Sequence, residues 1–175
     1  MFFVQIFIFF ISIIFISLSI SGFGSVMTRN LKSNFYIDFF FGLIVLSLIV
    51  TVFHFFSRVY VLSNILLFIL GLILFFRGAN FKYFKDQKKI NFKYLTIILL
   101  LIPIYISQKY HEDFGYYHLP YALAFLEEKI VFGFANVDKT YVYNSIWLNL
   151  TSIFFFKDRN FDFLTLPSFI LFLIF

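Results

Sequence analysis

Apolar residues along this chain fall in long, nearly unbroken runs separated by compact polar breaks. The first run, Phe2 to Ile20, is about long enough to cross a hydrocarbon core roughly 30 Å thick. A second covers Phe35 to Phe56, and after the Ser57-Arg58 break a third covers Val59 to Phe76. The fourth, Tyr94 to Ser107, extends backward to Ile90 if Lys93 reaches out to the interface, and Pro103 inside it can kink the helix. A long, mostly polar segment from Gln108 to about Val142 leads to a fifth run, Tyr143 to Phe156. The chain closes with Lys157-Asp158-Arg159-Asn160 and the run Phe161 to Phe175. Such runs far exceed the transmembrane β-strand, in which about ten residues alternate between lipid and lumen. The pattern therefore predicts an all-α polytopic transmembrane protein of about six spans. Without a basic region before it or a small-residue cleavage site after it, the first run reads as a retained helix rather than a cleaved signal. The last run stops at Phe175 with no polar flank, so the chain is expected to be the N-terminal part of a longer protein.

Composition strengthens this reading. Hydrophobic residues make up 62% of the 175 residues and charged residues 13%, against roughly 25% charge in ordinary globular chains. Mean hydropathy is +0.94, which excludes an ordinary soluble domain. The 32 Phe serve as generic lipid-facing bulk, because Phe, Ile, Tyr, Asn and Lys share AT-rich codons. The absence of Cys excludes disulfides, thiolate metal sites and a cysteine nucleophile.

The net charge of +5 sits in the breaks between apolar runs, where it signals topology and gives no reason to invoke nucleic acid. Arg77 to Lys93 holds Arg77, Lys82, Lys85, Lys88, Lys89 and Lys93 against the single acid Asp86, which places it in the cytoplasm. Counting alternately, the loop with Arg29 and Lys32 and the turn with Lys157 and Arg159 are also inside. The N-terminus and the segment 108–142 are then outside, where Lys109, Lys129 and Lys139 are outnumbered by Glu112, Asp113, Glu127, Glu128 and Asp138. The expected location is the plasma (inner) membrane. The chain divides into residues 1–93, three spans with a basic cytoplasmic loop, and residues 94–175, organised around the external loop.

Polar groups within the runs are few. Asp38 and His54, the latter with Arg58 four residues on, lie at span edges where water is expected to reach them, so neither is assigned a role. Asn149-Leu150-Thr151 matches a glycosylation sequon but falls inside a span. The richest chemistry lies just after the fourth run, in His111-Glu112-Asp113-Phe114-Gly115-Tyr116-Tyr117-His118-Leu119-Pro120. A carboxylate half shielded at a membrane interface can act as general base on a hydroxyl or ligate a divalent cation. The alternative reading of the same stretch is a solvated polar loop anchored by its aromatics. His111 and His118 are seven residues apart, a separation that argues against a zinc site. From Pro120 to Ile130 the sequence reads as a helix lying on the membrane, with Leu119, Leu123, Phe125, Leu126 and Ile130 on its apolar side. Tyr141, Tyr143 and Trp147 mark the interface again as the fifth run begins.

The order of an acidic pair, G-Y-Y-H-L-P, a helix ending in E-E-K, then G-F-A-N and Y-N-S-x-W resembles multi-spanning glycosyltransferases of the GT-C fold. It is most similar to the GT-C-like proteins of bacterial surface-polysaccharide loci. Matching positions are Asp113, Gly115, Tyr117 and His118, then Gly133 and Asn136, then Asn144, Ser145 and Trp147. The resemblance is concentrated between Asp113 and Phe156. In such enzymes the acidic loop follows the first span, whereas here it follows the fourth. The resemblance implies that Asp113, with Glu112 beside it, activates an acceptor hydroxyl or holds a divalent cation such as Mg or Mn. It implies further that His118, His111, Tyr116, Tyr117, Asn136, Asn144 and Trp147 contact substrate. The donor would be a sugar on a polyprenyl-phosphate carrier in the membrane lipid, and the partners other polysaccharide-assembly proteins. The competing expectations are a transporter or flippase component and an inactive membrane fragment.

Overall fold

The computed structural model describes residues 2–31, 33–78, 92–107, 114–130, 145–155 and 164–174, with the single positions 133 and 136. The apolar runs condense into helix, and among the described residues there is no strand. Helix α1 spans Phe2–Met27, α2 Phe35–Phe56, α3 Val61–Arg77 and α4 Phe92–Ser107. A single π-helical turn, Phe114–His118, runs directly into α5, Leu119–Glu127, and two short helices follow, α6 at Ile146–Ser152 and α7 at Leu166–Ile174. The side chain of Asn34 sets the start of α2, its Oδ1 accepting the Ile37 backbone N–H at 2.9 Å in the manner of an N-cap.

Length decides which helices can cross a bilayer. Helices α1 and α2, of 26 and 22 residues, reach about 39 and 33 Å at ~1.5 Å per residue. Both have segments long and apolar enough to span, Ile6–Met27 and Phe35–Phe56. The apolar helices Val61–Arg77 and Thr96–Tyr105 are shorter. The expected fifth and sixth spans are reduced to helices of 7 and 9 residues, about 10 and 14 Å long and well under the ~30 Å of a hydrocarbon core. The six spans expected from hydropathy thus become, among the described residues, two span-length helices and two shorter apolar ones.

The chain forms two compact units. The first comprises Met1–Ile44, Leu67–Lys109 and Ser168–Phe175. Here α1 meets α2 and α3 at backbone-to-backbone distance through small residues. A Cβ on Gly24 would overlap the Asp38 carbonyl, one on Gly42 the Ile20 carbonyl, and one on Gly22 the Gly71 carbonyl. Ser19 reinforces the second crossing by donating its buried hydroxyl to the Phe68 carbonyl at 2.9 Å. Thr28, at the end of α1, shares a short hydrogen bond with the carboxyl of Asp38, and both residues are buried. Aromatic rings close the other side of this unit, where Tyr105 stacks on Phe169 at 4.2 Å and on Phe9 at 5.3 Å.

The second unit comprises Val45–Leu66 and Tyr110–Pro167. Its core includes Leu46, Val50, Phe125, Leu150, Ile153 and Phe154. In both units polar side chains are buried within the apolar core while large apolar ones face outward. Ser19, Ser21, Asp38, His54, Asn64 and Asn149 are fully buried, while Phe7, Phe15, Phe40, Leu48, Phe56, Leu62 and Leu66 are exposed. Water would penalise that outward apolar surface, whereas lipid does not. Because lipid gives apolar burial little driving force between helices, close approach at glycine and serine must supply much of the cohesion. The expectation that water reaches Asp38 and His54 is corrected by this packing, which shuts both away completely.

Candidate functional site

The motif Phe114-Gly115-Tyr116-Tyr117-His118 folds as the π turn that launches α5. A π turn carries one residue more than an α turn and is enriched at functional sites. Tyr116 is 77% exposed, His118 is also exposed, and a Cβ on Gly115 would meet nothing within 4 Å. The internal packing of the chain therefore does not require glycine at 115. His118 stands at the helix start with helical backbone angles and makes no side-chain cap. Pro120 occupies the first turn of α5, where a missing N–H costs nothing.

The far end of α5 is tied down. The Val59 backbone N–H donates to the Phe125 carbonyl at 3.1 Å and the Ile130 N–H donates to the His54 carbonyl at 3.1 Å. Between these bonds His54 Nε2 donates to the Glu128 carbonyl at 2.9 Å. A carbonyl can only accept, so the neutral imidazole carries its proton on Nε2. The His54 ring also stands edge-on to Phe125, with centroids 4.7 Å apart. Residues 54–59 and 125–130 thus pair in antiparallel sense, fastening the turn between α2 and α3 to the end of α5. Arg58 lies beyond the end of α2, exposed, with its guanidinium 4.5 Å over the Tyr60 ring.

Helix α6 packs against α5. Ser145 occupies its N-cap position in extended conformation, and its carbonyl accepts the N–H groups of Leu148 and Asn149 at 3.0 and 3.2 Å. The G-x-x-N spacing of Gly133 and Asn136 has a local structural cause. Gly133 adopts a φ of 83° and its carbonyl accepts the Asn136 N–H at 2.9 Å, so the motif closes a turn that favours glycine at its start.

Of the residues expected to form the site, Glu112, Asp113, His111 and Asn144 lie outside the described residues, as does most of the basic loop with Lys82, Lys85, Lys88 and Lys89. The divalent cation expected at Asp113 concerns that same undescribed stretch. Among the described residues no group of three His, Cys, Asp or Glu side chains stands together to hold a metal. Tyr116 and His118 are brought together on one exposed turn, with Tyr117 between them in sequence. Asn136 and Trp147 are exposed on other segments, and no described hydrogen bond or ring contact joins them to that turn. Sequence reasoning missed His54 and Asn149, both fully buried in the second unit. The available signal was their polarity inside apolar runs, which is costly in a membrane and so marks a position with a job.

Among the described residues the protein is all-helical, with an apolar outer surface and two helices long and apolar enough to cross a membrane. The chain belongs to the family described as Domain of unknown function (DUF8201), which matches residues 6–175. Neither a curated protein nor a solved structure matches the chain.

Proposed function

We propose that this protein is a multi-pass, GT-C-like glycosyltransferase component of the inner membrane, with its N-terminus outside, acting on a sugar carried by a polyprenyl phosphate. The observation that supports this reading most is the fastening of α5 to the turn between α2 and α3. That turn and the segment 108–142 are expected on the same outer side, and the hydrogen bonds between residues 54–59 and 125–130 agree with that expectation. The π turn with its exposed tyrosine and imidazole follows Glu112-Asp113 immediately in the chain. An acid pair held at that level would meet a lipid-borne phosphate and a hydroxyl acceptor at the same depth.

In the proposed chemistry, Asp113 takes the proton of the acceptor hydroxyl as that oxygen forms a bond to the anomeric carbon. The bond from that carbon to the carrier phosphate breaks, and the phosphate leaves with the electron pair. Glu112 and His118 orient the acid, and Tyr116 and Tyr117 lie against the sugar or the carrier. Transfer from lipid-linked sugars, measured in membranes containing the Asp113→Asn protein, tests the role. Loss of transfer by a hundredfold or more, the size typical of a missing general base, is the expected result, and unchanged transfer removes the proposal.

A further inference from the structure

Helix α3 is an apolar rod bracketed by arginines. No charged residue falls between Arg58, just before the helix, and Arg77 at its end. Leu62, Leu66, Ile69, Ile73 and Phe76, spaced alternately four and three residues apart, are all exposed and form one apolar stripe along it. At the start of the helix the Arg58 guanidinium lies 4.5 Å over the ring of Tyr60, and both residues are exposed. Arg77 is exposed at the other end. An aromatic ring and a cation flanking an apolar stretch mark the boundary between lipid and water.

The first end cannot be lengthened by recruiting another turn of helix. Val59 is buried and its N–H is committed to the Phe125 carbonyl, within the segment 54–59 that is fastened to 125–130. At the far end Gly78 follows Arg77 directly, and glycine favours a stop there. The apolar part of α3, Val61 to Phe76, is therefore only about 24 Å long at ~1.5 Å per residue, against a typical hydrocarbon core of ~30 Å. Reach of the Arg77 side chain toward water recovers part of the difference at one end. A helix too long for its bilayer tilts, but one too short thins the bilayer around it. The alternative is to draw a guanidinium into hydrocarbon, which is costly.

We propose that α3 matches this protein to a thin bilayer, and that phospholipids with short acyl chains are its preferred lipid partners. This rests on the multi-pass reading above, because α3 must cross the membrane for its length to matter. The selection acts on chain length and not on the headgroup, since the surface that meets the lipid between the two arginines is the apolar stripe.

Thermal unfolding of the full chain in nanodiscs of dimyristoleoyl-, dioleoyl- or dierucoyl-phosphatidylcholine tests the match with one headgroup and three chain lengths. The highest Tm in the dimyristoleoyl bilayer, falling through dioleoyl to dierucoyl, is the expected result. A maximum in either longer lipid, or one Tm in all three, overturns the proposal. Arg77→Leu assigns the effect to α3, because the next charge along the chain is then Lys82. The fall in Tm from the shortest to the longest lipid is expected to shrink by half or more in this variant, and a fall equal to the parent's contradicts the assignment. Extraction of membranes with alkaline carbonate separates the two ideas. Release of the chain into the supernatant overturns the multi-pass reading and the match together, whereas a chain that stays in the membrane and melts alike in all three bilayers overturns the match alone.

Discussion

The imidazole Nε2 of His54 lies 2.9 Å from the carbonyl oxygen of Glu128, 74 residues further along the chain. This bond, with the backbone pairs around it, fixes the end of α5 against the end of α2. It gives a physical reason for a histidine near the end of a mostly apolar helix.

Replacing His54 by leucine is therefore expected to free the segment that follows α5. Removal of this buried bond costs about 1–3 kcal/mol. The exposed Lys129 sits within that segment. Limited trypsin digestion in nanodiscs is expected to cut His54→Leu after Lys129 several-fold faster than the parent. Equal rates would show that the bond does not hold the segment.

At the crossing of α1 and α2, Gly24→Ala is expected to force the two backbones apart, because its Cβ would overlap the Asp38 carbonyl. Overpacking of this kind costs typically about 1–3 kcal/mol, and the overlap here is with backbone that cannot rotate away. A Tm equal to the parent's would contradict the crossing. Gly115→Ala provides the internal comparison: with nothing within 4 Å of its Cβ, it is expected to leave Tm unchanged or slightly raised.

Asn64 is fully buried on α3, and neither end of its carboxamide has a hydrogen-bond partner. Asn64→Leu exchanges an unpaired polar group for an apolar one of similar size, so thermal unfolding is expected at the same or a higher temperature. A marked loss of stability would mean that the carboxamide is engaged.

Tyr105 and Phe169 stack at 4.2 Å between ring centroids. A double-mutant cycle of Tyr105→Leu and Phe169→Leu is expected to give a coupling of about 0.5–1.5 kcal/mol beyond the separate losses. Additive losses would show that the rings do not interact.

The elements that hydropathy alone could place are those whose stability is local. The run Phe35 to Phe56 became α2 with the same bounds, and the helix expected from Pro120 to Ile130 formed at Leu119–Glu127. Where partners distant in the chain decide, the pattern misled. His54 looked like an interfacial residue because nothing near it in sequence could satisfy its ring, and its partner is a carbonyl beyond α5. The run from Tyr143 to Phe156 looked like a span, yet it carries Asn149, Thr151 and Ser152, all buried, and helix persists there for only seven residues. The G-x-x-N of Gly133 and Asn136 read as a site motif, but its spacing also fits the turn it closes.

Sidedness carries the central claim, and the absence of cysteine makes it directly measurable. Single substitutions Arg58→Cys, Tyr116→Cys and Arg77→Cys would be exposed in turn to a membrane-impermeant maleimide on intact cells. Labelling at positions 58 and 116, with position 77 reacting only after the membrane is opened, is the expected result. Labelling of 58 and 116 on opposite sides, or of 77 together with 116, would contradict a loop and turn fastened together outside the membrane.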